Sequence, residues 1–300
     1  MHIDVSMGRD STMRTSAICA AGLGLLAALL FSTPAWSGAY TIDLDFAGSD
    51  HGSPSMTFVN GSGSAPGYVT DPSIGAPYGG NNRLRLTSNA GGQRGNAWFN
   101  DDFVVASEDW TAEIEWQMTY GSGGGADGMA FHMQAIGTGA DTFIQGQGLG
   151  SDFLSVVFRT YNGGGAGDCG MDFALGVYNS SGSPSGGACV DLSGLGGTEP
   201  WSYKVEMAHT ALTNNLAITV TNTNSGNTTG ALNFTVDLSE LDEATPGFSA
   251  QTGGSAENHD VLSFQASFAV PEPGTAVLMG MGLVALGWAG RVRAPRRVQR

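Results

Sequence analysis

Short segments of alternating apolar and polar residues, separated by clusters of Gly, Ser and Asn, dominate the middle of this chain and restrict its possible folds. Trp110–Met118 shows the pattern clearly, because its apolar residues alternate with Glu113, Glu115 and Gln117. A period of two residues is typical of a strand with one buried face. Ser239–Glu243 suggests at most a turn. Many short strands joined by turn residues predict an all-β sandwich. Similar segments begin at Tyr40, Phe153, Phe173, Tyr203, Leu216, Leu232 and Val261.

The N-terminal region has the pattern of a secretory signal peptide. A segment ending at Arg14 carries basic residues, and an apolar stretch at 17–31 and several small residues follow. This stretch is shorter than the roughly 20 residues that a membrane-spanning helix needs. We therefore predict that residues 1–37 are a signal peptide, with Met1 and Met13 both open as the start.

The C-terminal region begins with a Pro-Glu-Pro sequence at 271–273, followed by an apolar stretch at 274–290 and a cluster of arginines. As a helix the stretch would be about 25 Å long, close to the thickness of a bilayer. The order of these features resembles the PEP-CTERM sorting tail of Gram-negative bacteria. The resemblance implies that 270–300 is a sorting and transient membrane-anchoring segment recognised by an exosortase. A plain C-terminal anchor is the alternative.

The region between the two ends is strongly acidic. Residues 38–270 contain 24 acidic and 5 basic side chains, a net charge of −19. Such a surface repels phosphate backbones, so we expect no nucleic-acid partner. The charge suits an exported protein with neutral ligands, located at the cell surface or outside the cell.

The cysteines predict one disulfide bond. Cys19 lies in the predicted signal peptide, which leaves Cys169 and Cys189 as a pair in an oxidising compartment. A bond that closes a loop of this length stabilises a fold by about 3 kcal/mol. A reactive thiol is the alternative, but no His or basic residue lies nearby in the sequence to lower a thiol pKa.

Two distant segments point to a binding site. Gly123–Met133 and Pro246–Phe264 each join a glycine-rich loop to an apolar strand, and the first loop carries Asp127. With Ala-Asp-Gly before the apolar strand, these segments resemble the L-type (legume-lectin-like) carbohydrate-binding domain over roughly residues 39–269. The resemblance implies a concanavalin-like β-sandwich of jelly-roll type for residues 38–269, carbohydrate as the ligand and no enzymatic activity.

The resemblance also implies which residues contact a sugar. The family's Asp accepts hydrogen bonds from two sugar hydroxyls and commonly follows a cis peptide bond, and this role falls on Asp127. Backbone amides of the 146–150 loop and of the last loop, 253–258, would contribute donors. The alternative for Asp127 is a turn-capping role in a glycine-rich loop. The predicted sugar-binding residues are Asp127, Gly146, Gly148, Asn162, Gly254 and Ser255.

The metal-binding strand of the family is altered in this chain. Val157 and Arg159 stand where the family has acidic ligands, and a hard cation requires oxygen ligands. We expect that the transition-metal site is lost and that no cofactor is required. Arg159 is predicted to pair with Asp168 or Asp127, or else to point to solvent.

A residual calcium site is the competing possibility. Its ligands would be the carbonyl of Tyr161 together with Asn162 and Asp168.

Enzyme signatures are weak. Glu113 and Glu115 invite comparison with glycosidase carboxylates, but their alternation is typical of a solvated strand face. His132 alternates with Met129, Phe131 and Met133, which predicts a surface position. The favoured interpretation is an exported carbohydrate-binding protein. The alternatives are a structural or adhesive matrix protein with a decayed sugar site and, less favoured, a sandwich-fold glycosidase.

Overall fold

The computed structural model describes twelve separate ranges of residues. Residues 39–269 form one compact unit. The predicted signal peptide and the sorting tail beyond residue 270 lie outside the described residues, as do Asn162 and Asp168. The described residues are 38–45, 55–70, 82–100, 104–122, 125–135, 137–144, 146, 148–150, 152–161, 169–179, 184–196 and 200–270.

Two β-sheets form the fold, which confirms the all-β prediction, and the described strand registers are antiparallel. The strands are numbered in chain order. The first sheet runs β13 (Leu232–Thr235), β12 (Asn215–Asn222), β11 (Trp201–Thr210), β6 (Trp110–Ser122), β15 (Ala256–Val270), β4 (Asn82–Thr87), β3 (Gly67–Thr70), with β1 (Gly38–Asp45) paired to β15. The second runs β10 (Pro184–Asp191), β9 (Ala174–Asn179), β8 (Phe153–Arg159), β7 (Gly128–Gln134), β14 (Thr245–Gln251), β5 (Arg94–Phe99), β2 (Met56–Ser62).

The main core lies between the two sheets. Strand β6 directs Ile114 and Trp116 inward, where both are fully buried, and places Glu113 and Glu115 on the outer face. Aromatic rings from both sheets meet in this core, with centroids 5.3 to 6.0 Å apart in the described pairs. Contacts of this kind stabilise a sandwich through buried apolar area and ring geometry. The rings are Phe99, Phe131, Phe248 and Phe264.

A second apolar cluster covers the outer face of the seven-stranded sheet. Ile144 and Leu149 of the 137–150 segment pack over Trp98, Val157 and neighbouring side chains of the sheet. Strands β7 and β8 are therefore buried on both faces, and all seven residues of each are buried. This third layer is the reason why simple alternation fails to predict burial in these strands.

The remaining features are short. The disulfide between Cys169 and Cys189 is present, which confirms its prediction, with an S–S distance of 2.03 Å. Two 3₁₀ helices, Ser193–Leu195 and Ala211–Thr213, connect strands. The predicted turn near Ser239 is confirmed. Within the described residues, no helix has the length and apolar character needed to cross a membrane.

Candidate functional site

Asp127 directly precedes β7, so it lies at the start of the central strand of the seven-stranded sheet. Its backbone N–H donates to the carbonyl of Gln251 at 2.8 Å, and its carbonyl accepts from the N–H of Thr160 at 3.2 Å. The peptide bond between Ala126 and Asp127 is cis, as the resemblance implies. Strand β14 on one side and the end of β8 on the other therefore hold the Asp127 backbone in place.

The Asp127 carboxylate is half-buried, and only part of its hydrogen-bonding capacity is filled by the described residues. The side-chain Nε2 of Gln251 donates to Oδ2 at 2.9 Å, and among the described residues this is the one hydrogen bond to the carboxylate. A carboxylate offers about four acceptor positions. Several acceptor positions of Asp127 thus remain for a ligand.

Gly253 allows the carboxylate to approach the last loop. A Cβ atom at this position would lie 3.0 Å from Oδ1 of Asp127, closer than ordinary van der Waals contact. At Gly254, in contrast, a Cβ would meet no atom within 4 Å, and the residue is exposed. Ser255 is partly exposed beside it. The loop therefore presents Gly254 and Ser255 to solvent while Gly253 packs against Asp127.

A neighbouring turn that the sequence did not indicate supports this loop. The N–H of Gly92 donates to the carbonyl of Gly253 at 2.9 Å, and Thr252 Oγ1 donates to the carbonyl of Ala90 at 2.7 Å. The N–H of Gln93 in turn donates to Thr252 Oγ1 at 2.9 Å. These bonds hold the residues of the loop that adjoin Asp127 in place.

The predicted loop 253–258 is shorter than expected, because β15 begins at Ala256. Glu257 is fully buried, and its carboxylate accepts a hydrogen bond from the hydroxyl of Thr160 at 2.5 Å. His259 Nε2 lies 2.9 Å from Glu257 Oε1 without the alignment of a hydrogen bond, and its Nδ1 is 2.6 Å from the hydroxyl of Thr87. This buried polar group connects the strands below Asp127.

Arg94, Gln251, Gly128 and Arg159 occupy one row across the sheet, because they are register partners in adjacent strands. Arg159 is almost fully buried, so the alternative in which it points to solvent is wrong. Its predicted partner Asp168 lies outside the described residues. The row thus brings a buried guanidinium to the strand beside Asp127.

At the other end of the row, the positive charge of Arg94 is neutralised by Asp141. Arg94 donates to both carboxylate oxygens of Asp141, at 2.7 and 2.5 Å, and Asn96 donates to the same carboxylate at 3.1 Å. The hydrogen bond from Arg94 lowers the pKa of Asp141, and the same bond raises the pKa of Arg94. The Arg94 guanidinium also lies 4.2 Å from the ring centroid of Phe143.

The two glycines predicted to donate to a sugar have different environments. Gly146 is buried, and its N–H donates to the carbonyl of Phe143 at 2.9 Å. A Cβ at Gly146 would lie 2.7 Å from the hydroxyl of Ser155, and its φ of +81° also favours glycine. Gly148 is exposed, with a φ of +100°. Gly146 therefore has a packing task, and Gly148 is the glycine whose backbone faces solvent.

The residues do not fit the transition-metal site of the family. Val157, at the position of an acidic ligand, is fully buried in the second apolar cluster. Of the three predicted calcium ligands, Tyr161 alone lies within the described residues. The described residues contain no group of three or more His, Cys, Asp or Glu side chains that could hold a metal ion.

His132 is buried, so the prediction of a surface position is wrong. Its Nδ1 lies 2.6 Å from the hydroxyl of Ser155, and its Nε2 lies 2.6 Å from the hydroxyl of Ser249. Burial lowers the pKa of His132 to about 3, because the imidazolium would lose its hydration. The neutral ring is a structural connector of β7, β8 and β14.

Glu113 and Glu115 lie on the other sheet, away from Asp127. Lys204 Nζ is 3.3 Å from Glu113 and 3.0 Å from Glu206 on the outer face of the eight-stranded sheet. The prediction of a solvated strand face is confirmed for Glu113, whose side chain is 41% exposed.

Comparisons with known proteins agree with both parts of the sequence resemblance. Residues 269–294 match the PEP-CTERM protein-sorting motif, which implies export. No curated protein matches this sequence.

The fold is that of the legume lectins. Peanut lectin is 20% identical, with a TM-score of 0.59 over 78% of this chain and 99% of its own. The lectin from Bauhinia forficata in complex with GalNAc is 15% identical, with a TM-score of 0.57 over 77% and 98%. Lectin I from Ulex europaeus, in complex with the methyl glycoside of α-L-fucose, is 14% identical, with a TM-score of 0.57 over 77% and 98%.

Proposed function

We propose that this protein is an exported lectin that binds a carbohydrate through Asp127. The observation that carries the proposal is a half-buried carboxylate in a legume-lectin-like sandwich, to which a single hydrogen bond is donated by the described residues. Sugars present hydroxyl donors in fixed directions, and a hydrogen bond to a charged group contributes about 1.5–3 kcal/mol. Asp127 would accept from two hydroxyls of one sugar unit.

The surroundings of Asp127 offer complementary groups. The exposed backbone of Gly254 and the side chain of Ser255 lie in the same loop as Gly253, which contacts the carboxylate. Gly148 offers exposed backbone, whereas the Gly146 amide is already bonded. Asn162, outside the described residues, stays a predicted amide donor from the sequence.

Tyr161 is a further candidate contact through its ring. Its side chain is 50% exposed, and it directly follows Thr160, whose N–H binds the Asp127 carbonyl. Sugars have apolar C–H faces that pack on aromatic rings. The sequence pointed only to the Tyr161 carbonyl, as a calcium ligand, so the exposed ring is a feature that the fold reveals.

The ligand is expected to be a neutral sugar. The net charge of −19 over residues 38–270 disfavours acidic polysaccharides, and Arg94 at the far end of the row is neutralised by Asp141. Two of the similar lectins were solved with neutral sugars, GalNAc and a fucose glycoside.

The proposal extends to sorting. Residues 1–37 would direct export, and 270–300 would anchor the protein in the inner membrane of a Gram-negative bacterium until an exosortase-type enzyme processes it. The PEP-CTERM match at 269–294 supports this route. Residues 38–269 would then act at the cell surface or in the extracellular matrix.

A glycan array with the exported protein tests the carbohydrate proposal. We expect millimolar-range binding of a neutral sugar, about −4 kcal/mol, and its loss in Asp127→Asn. Glu115→Gln, on the other sheet, is the matched control and should bind normally. A folded protein that binds no glycan would instead favour the matrix-protein alternative, and release of reducing ends from polysaccharides would favour the glycosidase.

A further inference from the structure

We propose that the side-chain amide of Gln251 orients the Asp127 carboxylate in place of a bound metal ion, so that carbohydrate binding needs no cation. This inference rests on the proposed function, because it concerns how the same carboxylate is held. Gln251 lies at the end of β14, and it was not among the residues that the sequence predicted for the site.

Two hydrogen bonds join the same pair of residues. The Asp127 N–H donates to the Gln251 carbonyl at 2.8 Å, and the Gln251 Nε2 donates to Asp127 Oδ2 at 2.9 Å. The first bond sets the position of the Asp127 backbone, and the second sets the rotation of its carboxylate. Together they specify the direction in which the remaining acceptors point.

The side-chain amide of Gln251 can donate to the Asp127 carboxylate in only one of its two orientations. Exchanging Oε1 and Nε2 would place the Gln251 oxygen against the Asp127 carboxylate, where two acceptors would repel. In the observed orientation Gln251 Oε1 is buried and has no hydrogen-bond partner among the described residues. Keeping a buried acceptor unpaired is unfavourable, so the bond to Asp127 determines the orientation of the amide.

The chemistry around Asp127 is unsuited to the family's metal. Val157 places an alkyl group in the second apolar cluster, and Arg159 places a buried cationic side chain in the row beside Asp127. A hard cation needs several oxygen ligands and is repelled by a guanidinium. A neutral amide donor can hydrogen-bond to a carboxylate without further oxygen ligands, and a nearby guanidinium does not repel it.

Calorimetry on the full-length exported protein tests the inference, with the sugar selected by the glycan array as the probe. The wild-type affinity should be the same in EDTA and in millimolar Ca²⁺ or Mn²⁺, and direct titration with each metal should show no stoichiometric binding. Gln251→Ala should weaken sugar binding at least tenfold. Gln265→Ala is the matched control, because Gln265 is exposed on the other sheet, and it should bind normally.

The Gln251→Glu variant tests whether residue 251 orients the Asp127 carboxylate or only supports the fold. Two adjacent carboxylates favour sharing a proton, so this variant should bind weakly at pH 8 and regain affinity toward pH 5.5. Thermal melting of each variant checks that the fold is intact. A variant that melts far below the wild type leaves the metal titrations of the wild-type protein as the deciding measurement.

The outcomes distinguish the two proposals. If the wild-type protein binds sugar and EDTA abolishes binding, the Gln251 inference is wrong while the lectin proposal stands. Normal affinity in folded Gln251→Ala also overturns it. If the folded wild-type protein binds no sugar, both proposals fail together.

Discussion

Two regions of the seven-stranded sheet use polar groups in opposite ways. In the covered middle, below the 137–150 segment, both ring nitrogens of His132 lie within hydrogen-bond distance of serine hydroxyls. At the start of β7, the half-buried Asp127 has one donor for its carboxylate among the described residues. A saturated buried polar group connects strands, whereas a half-buried group with spare acceptors can bind a ligand. The number of filled hydrogen-bonding positions therefore distinguishes a structural polar group from a candidate binding group in this sheet.

Asp141 and Asp127 show the same contrast between two carboxylates. Arg94 and Asn96 donate three hydrogen bonds to Asp141, which ties the 137–150 segment to β5. Among the described residues, a single side chain donates to Asp127, that of Gln251. The following predictions test whether the covered middle supplies stability and the region around Asp127 supplies binding.

The largest expected effect is a loss of stability in acid that originates in His132. Its pKa is lowered to about 3 in the fold, so between pH 6.5 and 3 the unfolded chain binds a proton that the folded protein does not. The free energy of unfolding should fall by about 1.4 kcal/mol per pH unit, or roughly 3 kcal/mol by pH 4. Urea unfolding between pH 8 and pH 4 measures this slope.

His132→Gln is the control for this prediction, because glutamine keeps hydrogen-bonding groups without titrating. Its stability should be lower at neutral pH and less dependent on pH. An equally steep slope in the variant would assign the acid sensitivity to other groups.

Asp127→Asn should weaken sugar binding by more than tenfold while leaving the free energy of unfolding nearly unchanged. The amide replaces an acceptor with a donor, and the lost hydrogen bond to a charged group is worth about 1.5–3 kcal/mol. Calorimetry and urea unfolding of the same preparation measure both quantities. Unchanged affinity would remove Asp127 from the site.

Gly253→Ala should reduce sugar affinity by about fivefold, or about 1 kcal/mol, through crowding of the Asp127 carboxylate. The new Cβ would lie 3.0 Å from Oδ1. Gly254→Ala is the matched control, because its Cβ would meet no atom within 4 Å. Equal affinities of the two variants would show that the contact at Gly253 does not influence the carboxylate.

The smallest effect is expected for Asp141→Asn. The pKa of Asp141 is lowered by Arg94, so its ion pair stabilises the fold above the unfolded pKa and is lost as the carboxylate protonates in acid. Because the Asp141 side chain is 38% exposed, solvent screening limits the loss to at most about 1 kcal/mol. Sugar affinity should not change. A large loss of affinity would mean that the neutralised end of the row belongs to the binding site.

Much of the architecture was predictable from the sequence because strand patterns are local. Alternation in Trp110–Met118 predicted which side chains of β6 face the core, and glycine-rich turns marked the strand ends. The disulfide between Cys169 and Cys189 was predictable because those two cysteines remain when the one in the predicted signal peptide is set aside. Alternation failed in β7, where His132 is buried because the 137–150 segment, which follows this strand in the chain, folds back over the sheet.

The candidate site was predictable only in part. The Ala-Asp-Gly pattern identified Asp127, and the last glycine-rich loop was located, although its end at Glu257 turns into the buried interior. Gln251 was missed because glutamine in a strand carries no signal of its own. The supporting turn at 90–93 was missed because its bonds to Thr252 and Gly253 span about 160 residues of sequence.

Residue type and local spacing were enough to predict the strand-rich composition, the disulfide pair, the sorting motif and the candidate carboxylate. Which polar groups have all their hydrogen-bonding positions filled follows instead from the three-dimensional packing. His132 is enclosed because the 137–150 segment covers its strand, and the Asp127 carboxylate is oriented because β14 places Gln251 beside it. Hydrogen bonding and desolvation depend on distances between atoms far apart in the chain, and folding alone creates those distances.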